Sequence, residues 1–157
     1  MIDAPLRAAF VAGSERYEIL FEPYGEELYA TLTIASGGVE VWSSTERSWG
    51  AVRFGSGHRS AFIWTATTLV ELSAVQPMWS TEFDEDVIWV YQLDARWIVV
   101  CETSVRLIDA SGEVGRWELA DVVSEASWRG EAIHVRDVSG REVFLRVQDS
   151  NFCPSAS

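Results

Sequence analysis

Short runs of alternating apolar and polar residues follow one another along most of this 157-residue chain. In residues 17–21 and 28–34, every second residue is apolar. A period of two places neighbouring side chains on opposite faces, which is typical of a strand with one buried face. The pattern therefore predicts an all-β protein, an antiparallel meander of about twelve short strands. They are residues 17–21, 28–34, 39–42, 51–54, 61–65, 69–72, 87–91, 97–101, 105–108, 116–119, 132–135 and 143–147.

Two of these runs, residues 87–91 and 97–101, are almost continuously apolar. Strands of this kind are usually covered on both faces, so we expect them to be central strands with Trp89 and Trp97 in the core. The longest connection runs through Pro77 and the acidic residues 81–86. Any boundary between two sheets is expected there.

One two-strand pattern recurs, because residues 62–73 resemble residues 98–109 at a spacing of 36. The strand order from residue 87 to residue 119 resembles the four-stranded blade of a β-propeller. A closed propeller of at least four blades, each of about 40 residues, needs a longer chain. The sequence therefore favours a β-sandwich or open barrel with propeller-blade-like sheets, and a β-trefoil is the alternative.

Composition indicates a single all-β domain, residues 1–157, because 48% hydrophobic residues suffice to bury a core at this length. Residues 1–14, with a short helical turn as one option for residues 5–12, and residues 150–157 are expected to be loosely ordered ends. Cys101 and Cys153 do not make a disulfide scaffold, and with two histidines they show no zinc-binding spacing. We expect no metal and no cofactor.

The formal net charge is −12, from 24 acidic residues against 12 arginines and no lysine. A field of this sign disfavours nucleic acid and anionic membrane surfaces as partners, while a basic protein remains open. No apolar run reaches the length of a bilayer span, and the first residues carry an acid where a signal peptide carries positive charge. A cytoplasmic protein is therefore expected.

Candidate chemistry centres on residues 55–60, where glycines flank Ser56 and precede His58 and Arg59. These two side chains could bind an anionic group or transfer a proton, although a solvated hairpin loop is the simpler interpretation. The sequence lacks the Gly-x-Ser-x-Gly signature of serine hydrolases. We therefore expect a protein that is not an enzyme.

Tryptophan is unusually frequent, and three of the eight, Trp64, Trp89 and Trp97, lie in apolar strands and are expected in the core. An exposed tryptophan can stack on a sugar ring or anchor a protein interface, where Trp and Arg are favoured. Four others lie near strand ends or among polar neighbours: Trp49, Trp79, Trp117 and Trp128. The candidate binding residues are Trp49, His58, Arg59 and Trp79.

Three hypotheses of function follow. The leading one is a small, acidic, non-enzymatic protein-binding module that holds a basic partner, as an immunity protein neutralises a toxin, or that forms a homo-oligomer. The second is a carbohydrate-binding module, which requires a coplanar exposed row of aromatic rings. The third is a small enzyme with His58 as its acid or base, in a cleft beside a carboxylate.

Overall fold

The computed structural model describes residues 6–12, 14–24, 29–47, 53–56, 61–72 and 78–155. The regular elements in these ranges are sixteen β-strands. They form four antiparallel sheets of four strands each, and within every sheet the strands follow one another in chain order. Among the described residues, no pairing joins the first strand of a sheet to its last, so each sheet is open.

The strands have the following bounds. The first sheet contains β1 (Leu6–Ala12), β2 (Glu15–Tyr24), β3 (Tyr29–Ser36) and β4 (Val39–Arg47). The second contains β5 (Arg53–Ser56), β6 (Ala61–Trp64), β7 (Thr68–Leu72) and β8 (Trp79–Glu82). The third contains β9 (Val87–Leu93), β10 (Arg96–Cys101), β11 (Ser104–Asp109) and β12 (Gly112–Glu118). The fourth contains β13 (Val123–Trp128), β14 (Ile133–Asp137), β15 (Glu142–Gln148) and β16 (Asn151–Pro154).

The chain divides into two compact units, Met1–Asp84 and Glu85–Ser157. One sheet boundary falls between β8 and β9, within the acidic connection where the sequence places it. Two further boundaries, between β4 and β5 and between β12 and β13, are not predicted. The core of the first unit joins Tyr17, Ile19, Phe21, Ala30, Leu32 and Ile34 of the first sheet to Ile63, Val70 and Leu72 of the second. The core of the second unit joins Ile98, Val100, Val105 and Leu107 of the third sheet to Val123, Ile133, Val135, Leu145 and Phe152 of the fourth. The sequence predicts a single domain, residues 1–157, and this stays a prediction beside the division into two units.

The all-β class, the antiparallel meander and the blade-like sheets are confirmed. The four strands that the sequence pattern misses, β1, β8, β13 and β16, all lie at a sheet edge. An edge strand has a neighbour on one side only, so burial constrains its sequence less. Four other edge strands, β4, β5, β9 and β12, do show an apolar pattern and are predicted. Two of the missed strands, β1 and β16, occupy the segments predicted to be loose ends. Four sheets also replace the three equal parts that a β-trefoil needs.

The recurrence at a spacing of 36 has a structural cause. Strands β6 and β7 are the second and third strands of their sheet, and β10 and β11 hold the same places in the next sheet. One backbone bond also repeats at this spacing. The Phe83 N–H donates to the Thr67 carbonyl (2.8 Å), and the Leu119 N–H donates to the Thr103 carbonyl (2.9 Å). The second and third sheets therefore share the places of these two strands and one backbone hydrogen bond at a spacing of 36.

Two of the hairpins are closed by the same Asp-x-Ser-Gly sequence. Asp109 Oδ1 accepts hydrogen bonds from the backbone N–H and hydroxyl of Ser111 at 2.7 and 2.5 Å, and Asp137 Oδ1 accepts the same pair from Ser139 at 3.0 and 2.6 Å. These hydrogen bonds lower the pKa of both carboxyls. Gly112 (φ +116°) and Gly140 (φ +87°) adopt the left-handed backbone that the sequence predicts for these turns.

Candidate functional site

The structure can place one of the four candidate binding residues. Trp49, His58 and Arg59 lie outside the described residues. Trp79 lies in β8, half-buried, and its indole N–H donates to the buried carboxylate of Glu71. This hydrogen bond fixes the Trp79 ring against β7 of the same sheet. The ring therefore contributes to the structure in addition to any contact with a partner protein.

Other tryptophans are distributed unevenly between core and surface. Trp64 and Trp97 are buried, as predicted. The prediction that Trp89 is a core residue is wrong, because 38% of it is exposed. Trp117 and Trp128 are half-buried against the core of the second unit.

Two features of β9 expose Trp89. Strand β9 is the edge of the third sheet, not the central strand that its apolar run predicts. In addition, Val100 pairs with Trp89 but Cys101 pairs with Val87, so a bulge at Ile88 interrupts the ladder. A bulge breaks the alternation of faces and re-aims side chains. Ile88 is accordingly exposed next to Trp89, at 39%.

Three aromatic rings follow one another across this edge. The ring centroids of Trp89 and Tyr91 are 6.3 Å apart with a tilt of 49°, and those of Tyr91 and Trp128 are 6.5 Å apart with a tilt of 34°. The Tyr91 hydroxyl donates a hydrogen bond to the carbonyl of Ala126 in β13 (3.2 Å). We call Ile88, Trp89, Tyr91 and Trp128 the aromatic patch.

The middle ring of the aromatic patch is held in place. Burial raises the pKa of Tyr91, which keeps its hydroxyl protonated as the donor to Ala126. Acidic residues stand beside the patch, since the carbonyl of Asp86, one residue before β9, accepts the backbone N–H of Glu102 (2.9 Å). The Glu102 side chain is exposed. The patch therefore combines a pre-ordered aromatic surface with negative charge.

An ion pair fixes the segment that enters β9. Glu85 accepts hydrogen bonds from the Thr103 backbone N–H (2.6 Å), the Ser104 hydroxyl (3.2 Å) and the buried Arg106 guanidinium (2.8 Å). Partial burial acts to raise the pKa of Glu85, but these donors outweigh it and leave the pKa below its ordinary value. The network ties the connection before β9 to the corner between β10 and β11.

Cys101 is buried beside this network at the end of β10. Burial raises its pKa to about 12, even though Arg106 acts in the opposite direction. The thiolate is the reactive form of cysteine. Cys101 is therefore a structural thiol.

The second histidine, His134, is a buried cross-strand partner of Phe144, and the two rings stack with centroids 4.5 Å apart. Its Nε2 lies 3.3 Å from Glu142 Oε1. Glu142 also accepts hydrogen bonds from the Arg136 guanidinium, which lowers the pKa of Glu142. The histidine thus takes part in a cross-strand cluster on the fourth sheet.

A shallow groove of about 520 Å³ lies on the first sheet, over β1, β2 and β3. Half of its eight lining side chains are short, namely Ala8, Ala9, Thr33 and Ala35. Its charged lining residues, Arg7 and Glu18, are both exposed. The groove offers area for contact but little directional chemistry.

Neither a metal cluster nor a membrane-spanning helix occurs in the part of the chain that the structure describes. No three His, Cys, Asp or Glu side chains among those residues come together as ligands. The same residues form no helix long and apolar enough to cross a bilayer.

Comparison with known proteins gives a fold but no family. No family model matches the chain, and no curated protein matches it. Among solved structures, the N-terminal domain of Nup159 aligns with a TM-score of 0.52 and 9% identity, over 88% of this chain and 40% of that one. The CNH domain of AfRom2 aligns with a TM-score of 0.51 and 6% identity, over 96% of this chain and 53% of that one.

Both of these domains are β-propeller-like. This chain spans about half the length, or less, of the solved chains that it matches. At such low identity the likeness concerns the fold alone. The chain therefore has an all-β architecture of blade-like sheets, similar to that of propeller domains.

Proposed function

We propose that this chain is a non-enzymatic protein-binding module and that the aromatic patch is its contact surface for a basic protein partner. The observation that carries the proposal is the exposure of Trp89 and Ile88 side by side at a sheet edge. Tryptophan is among the residues most enriched at the energetic centres of protein interfaces. A bulge that exposes two apolar side chains together buries less apolar surface than a regular strand would, so it serves binding better than it serves stability.

The geometry of the patch reduces the cost of binding. A flexible side chain loses about 0.5–1.5 kcal/mol of conformational freedom when a partner immobilises it. Trp89 already contacts Tyr91, and Tyr91 is held by Ala126 and Trp128. Much of the ordering is therefore present before a partner arrives.

Charge supports a basic partner. The chain carries a net charge of −12, and Asp86 and Glu102 adjoin the bulge in the aromatic patch. A negative field accelerates encounter with a positive protein, and an arginine can stack on an exposed indole ring. A toxin neutralised by an immunity-like protein would have this chemistry, and a cytoplasmic location would suit such a role.

The fold fits the same proposal. The chain shares its propeller-like architecture with the Nup159 and AfRom2 domains, and open sheets of this kind offer surface for protein contact. This supports the binding proposal at the level of fold. Trp49, His58 and Arg59, together with Trp79, are proposed as a second contact region.

The aromatic patch favours a protein ligand over a sugar. A carbohydrate-binding row needs coplanar rings, whereas successive rings here are tilted by 49° and 34°. The Tyr91 hydroxyl is also engaged with Ala126 and is not presented to a ligand. We therefore retain protein binding as the proposed function.

The test is affinity capture from lysate of the source organism, with light scattering on the purified chain. The wild type is compared with Ile88→Ser/Trp89→Ala and with Val39→Ser, which alters an exposed aliphatic residue of the first unit. A stoichiometric basic protein that is lost from the patch variant and retained by Val39→Ser supports the proposal. Equal recovery by all three chains contradicts it.

A Trp49→Ala/Trp79→Phe chain tests the second contact region in the same experiment. Phenylalanine is chosen at Trp79 because an alanine would leave a cavity beside the buried Glu71. Light scattering shows whether the captured protein is a second copy of the chain. If the wild type is a homodimer and the patch variant is a monomer, the aromatic patch mediates self-association and the proposal of a basic partner is rejected.

A further inference from the structure

A groove of about 240 Å³ opens between the third and fourth sheets, inside the second unit. The end of β12 and the residues after it form one side, and β14, β15 and the turn between them form the other. Ligand pockets for drug-sized molecules usually hold about 300–1,000 Å³. This groove therefore has room for one side chain and not for a whole cofactor.

The walls of the groove are apolar. Trp117, Leu119 and Val143 are half-buried and pack against the core of the second unit, while Val135 is fully buried. Their positions are fixed by that packing, yet part of each half-buried side chain still faces the opening. An apolar side chain placed here would be surrounded without any movement of the sheets.

The rim of the groove is acidic. Three carboxylates line it, Glu118, Asp137 and Glu142, against one guanidinium, Arg141. Asp137 is committed to the turn, since its Oδ1 accepts three hydrogen bonds. Glu118 and Glu142 have side chains that are 65% and 41% exposed. These two carboxylates are accessible to a ligand.

Each accessible carboxylate shares its arginine with another acid. Arg116 bonds both Glu113 (2.9 Å) and Glu118 (3.1 Å). On the other side, Arg136 bonds both Glu142 (2.5 Å) and Glu125 (3.0 Å). Glu113 also lies 3.7 Å from Arg106, which pairs with Glu85, and Glu142 lies 3.3 Å from His134 Nε2. Carboxylates outnumber guanidiniums by one in each cluster. The rim can therefore accept a further cation.

We propose that this groove binds a short segment of a basic protein in which a leucine-sized apolar side chain is followed by an arginine. The apolar side chain enters between Trp117 and Val143, and the guanidinium pairs with Glu118 or Glu142. A bidentate pair between arginine and a carboxylate adds directional recognition. The proposal rests on the proposed function, because it names the chemistry of the partner.

The strand register links the groove to the aromatic patch. Trp89 pairs with Val100, Val105 pairs with Trp117, and the two inner residues adjoin through the β10–β11 ladder. Trp89 and Trp117 thus stand at opposite edges of one face of the third sheet. Three strand spacings separate them by about 14 Å. Val100 and Val105, which lie between them, are fully buried in the core of the second unit, so the groove and the aromatic patch are two separate surfaces.

The test is a titration of the ¹⁵N-labelled chain followed at the Trp117 indole N–H. The probes are three synthetic peptides, acetyl-Gly-Leu-Arg-Gly-amide, acetyl-Gly-Leu-Glu-Gly-amide and acetyl-Gly-Ser-Arg-Gly-amide. We expect the first to cause a saturable shift at millimolar concentration, with a dissociation constant about tenfold or more below those of the other two. A Trp117 signal that none of the peptides moves, or that all three move alike, overturns the proposal.

Two matched variants control for location. Ala120→Phe fills the mouth of the groove, and Ala110→Phe makes the same change at an exposed hairpin position of the third sheet. Binding of the Leu-Arg peptide should be lost in the first and kept in the second. Equal binding by both variants would place the peptide elsewhere and contradict the proposal.

Failure of this proposal is distinguishable from failure of the proposed function. The Ile88→Ser/Trp89→Ala chain should bind the Leu-Arg peptide as the wild type does, because its changes lie at the far edge of the sheet. Lysate capture reports on the aromatic patch and the peptide titration on the groove. If the patch variant loses the captured protein while the wild-type chain does not bind the Leu-Arg peptide, the proposed function stands and the groove proposal is rejected.

Discussion

Replacing Glu85 by alanine should destabilise the second unit more than any exposed acid-to-alanine change. The substitution removes hydrogen bonds from Thr103, Ser104 and Arg106 and leaves a guanidinium with 6% side-chain exposure without its nearest carboxylate. Breaking a fully buried ion pair costs about 3–5 kcal/mol. Glu85 retains 18% exposure, so water compensates in part. We expect a loss of about 2–3 kcal/mol in the free energy of unfolding.

Urea unfolding followed by tryptophan fluorescence measures this loss. With a slope of about 2 kcal/mol per molar urea, the midpoint should fall by about 1–1.5 M. The matched control is Glu131→Ala, which breaks the exposed pair of Glu131 with Arg146 and should cost under about 0.5 kcal/mol. A Glu85→Ala midpoint within the error of this control would refute the account of the network.

Two further measurements separate the ion pair from general packing. In a double-mutant cycle with Arg106→Leu, the combined loss should be smaller than the sum of the single losses, by more than about 0.5 kcal/mol. The pKa of Glu85 is lowered in the folded chain, so its contribution is present above the ordinary value of 4.5 and is lost as pH falls through the lowered value. The difference between wild type and Glu85→Ala should therefore shrink in acid. A difference that stays constant to pH 2 would contradict the ionic explanation.

Three other predictions follow from described contacts. Thiol titration of the native chain at pH 8 should modify Cys153, which is half-buried, well before Cys101, whose pKa of about 12 keeps it protonated; equal rates, measured by mass spectrometry, would contradict this. Gly115→Ala should lower the free energy of unfolding in urea by about 1–3 kcal/mol, because its Cβ would stand 2.3 Å from the Ser150 carbonyl oxygen. An unchanged midpoint would refute the claim that the backbone at Ser150 leaves no room for a side chain. Asp137→Ala should lower the thermal midpoint more than Asp109→Ala, since Asp137 is buried and also accepts the Arg141 N–H, and the reverse order would refute that ranking.

Strands could be predicted from the sequence where an apolar pattern shows locally. Among the described residues, each of the twelve predicted runs overlaps an observed strand, and the two Asp-x-Ser-Gly turns are as expected. The missed edge strands show why local pattern has limits. Strand β1 is rich in alanine, which has little preference for strands, and its pairing with β2 decides its conformation.

The aromatic patch was beyond sequence analysis for a related reason. An apolar run such as residues 87–91 predicts burial, and nothing in it indicates a bulge or an edge position. Tyr91 and Trp128 are also 37 positions apart and meet only because two sheets pack together. Charge, by contrast, could be predicted from composition, and the shared arginines of the groove rim show how the surplus acid is arranged.

Site-specific photo-crosslinking tests the central claim most directly, that the aromatic patch contacts a basic protein. A benzophenone amino acid replaces Ile88 in one chain and Val39, the exposed control in the first unit, in another. Each chain is irradiated in lysate, and the products are identified by mass spectrometry. The account predicts a product with a basic protein from position 88 and none with that protein from position 39. The same product from both positions, or none from position 88, would contradict it.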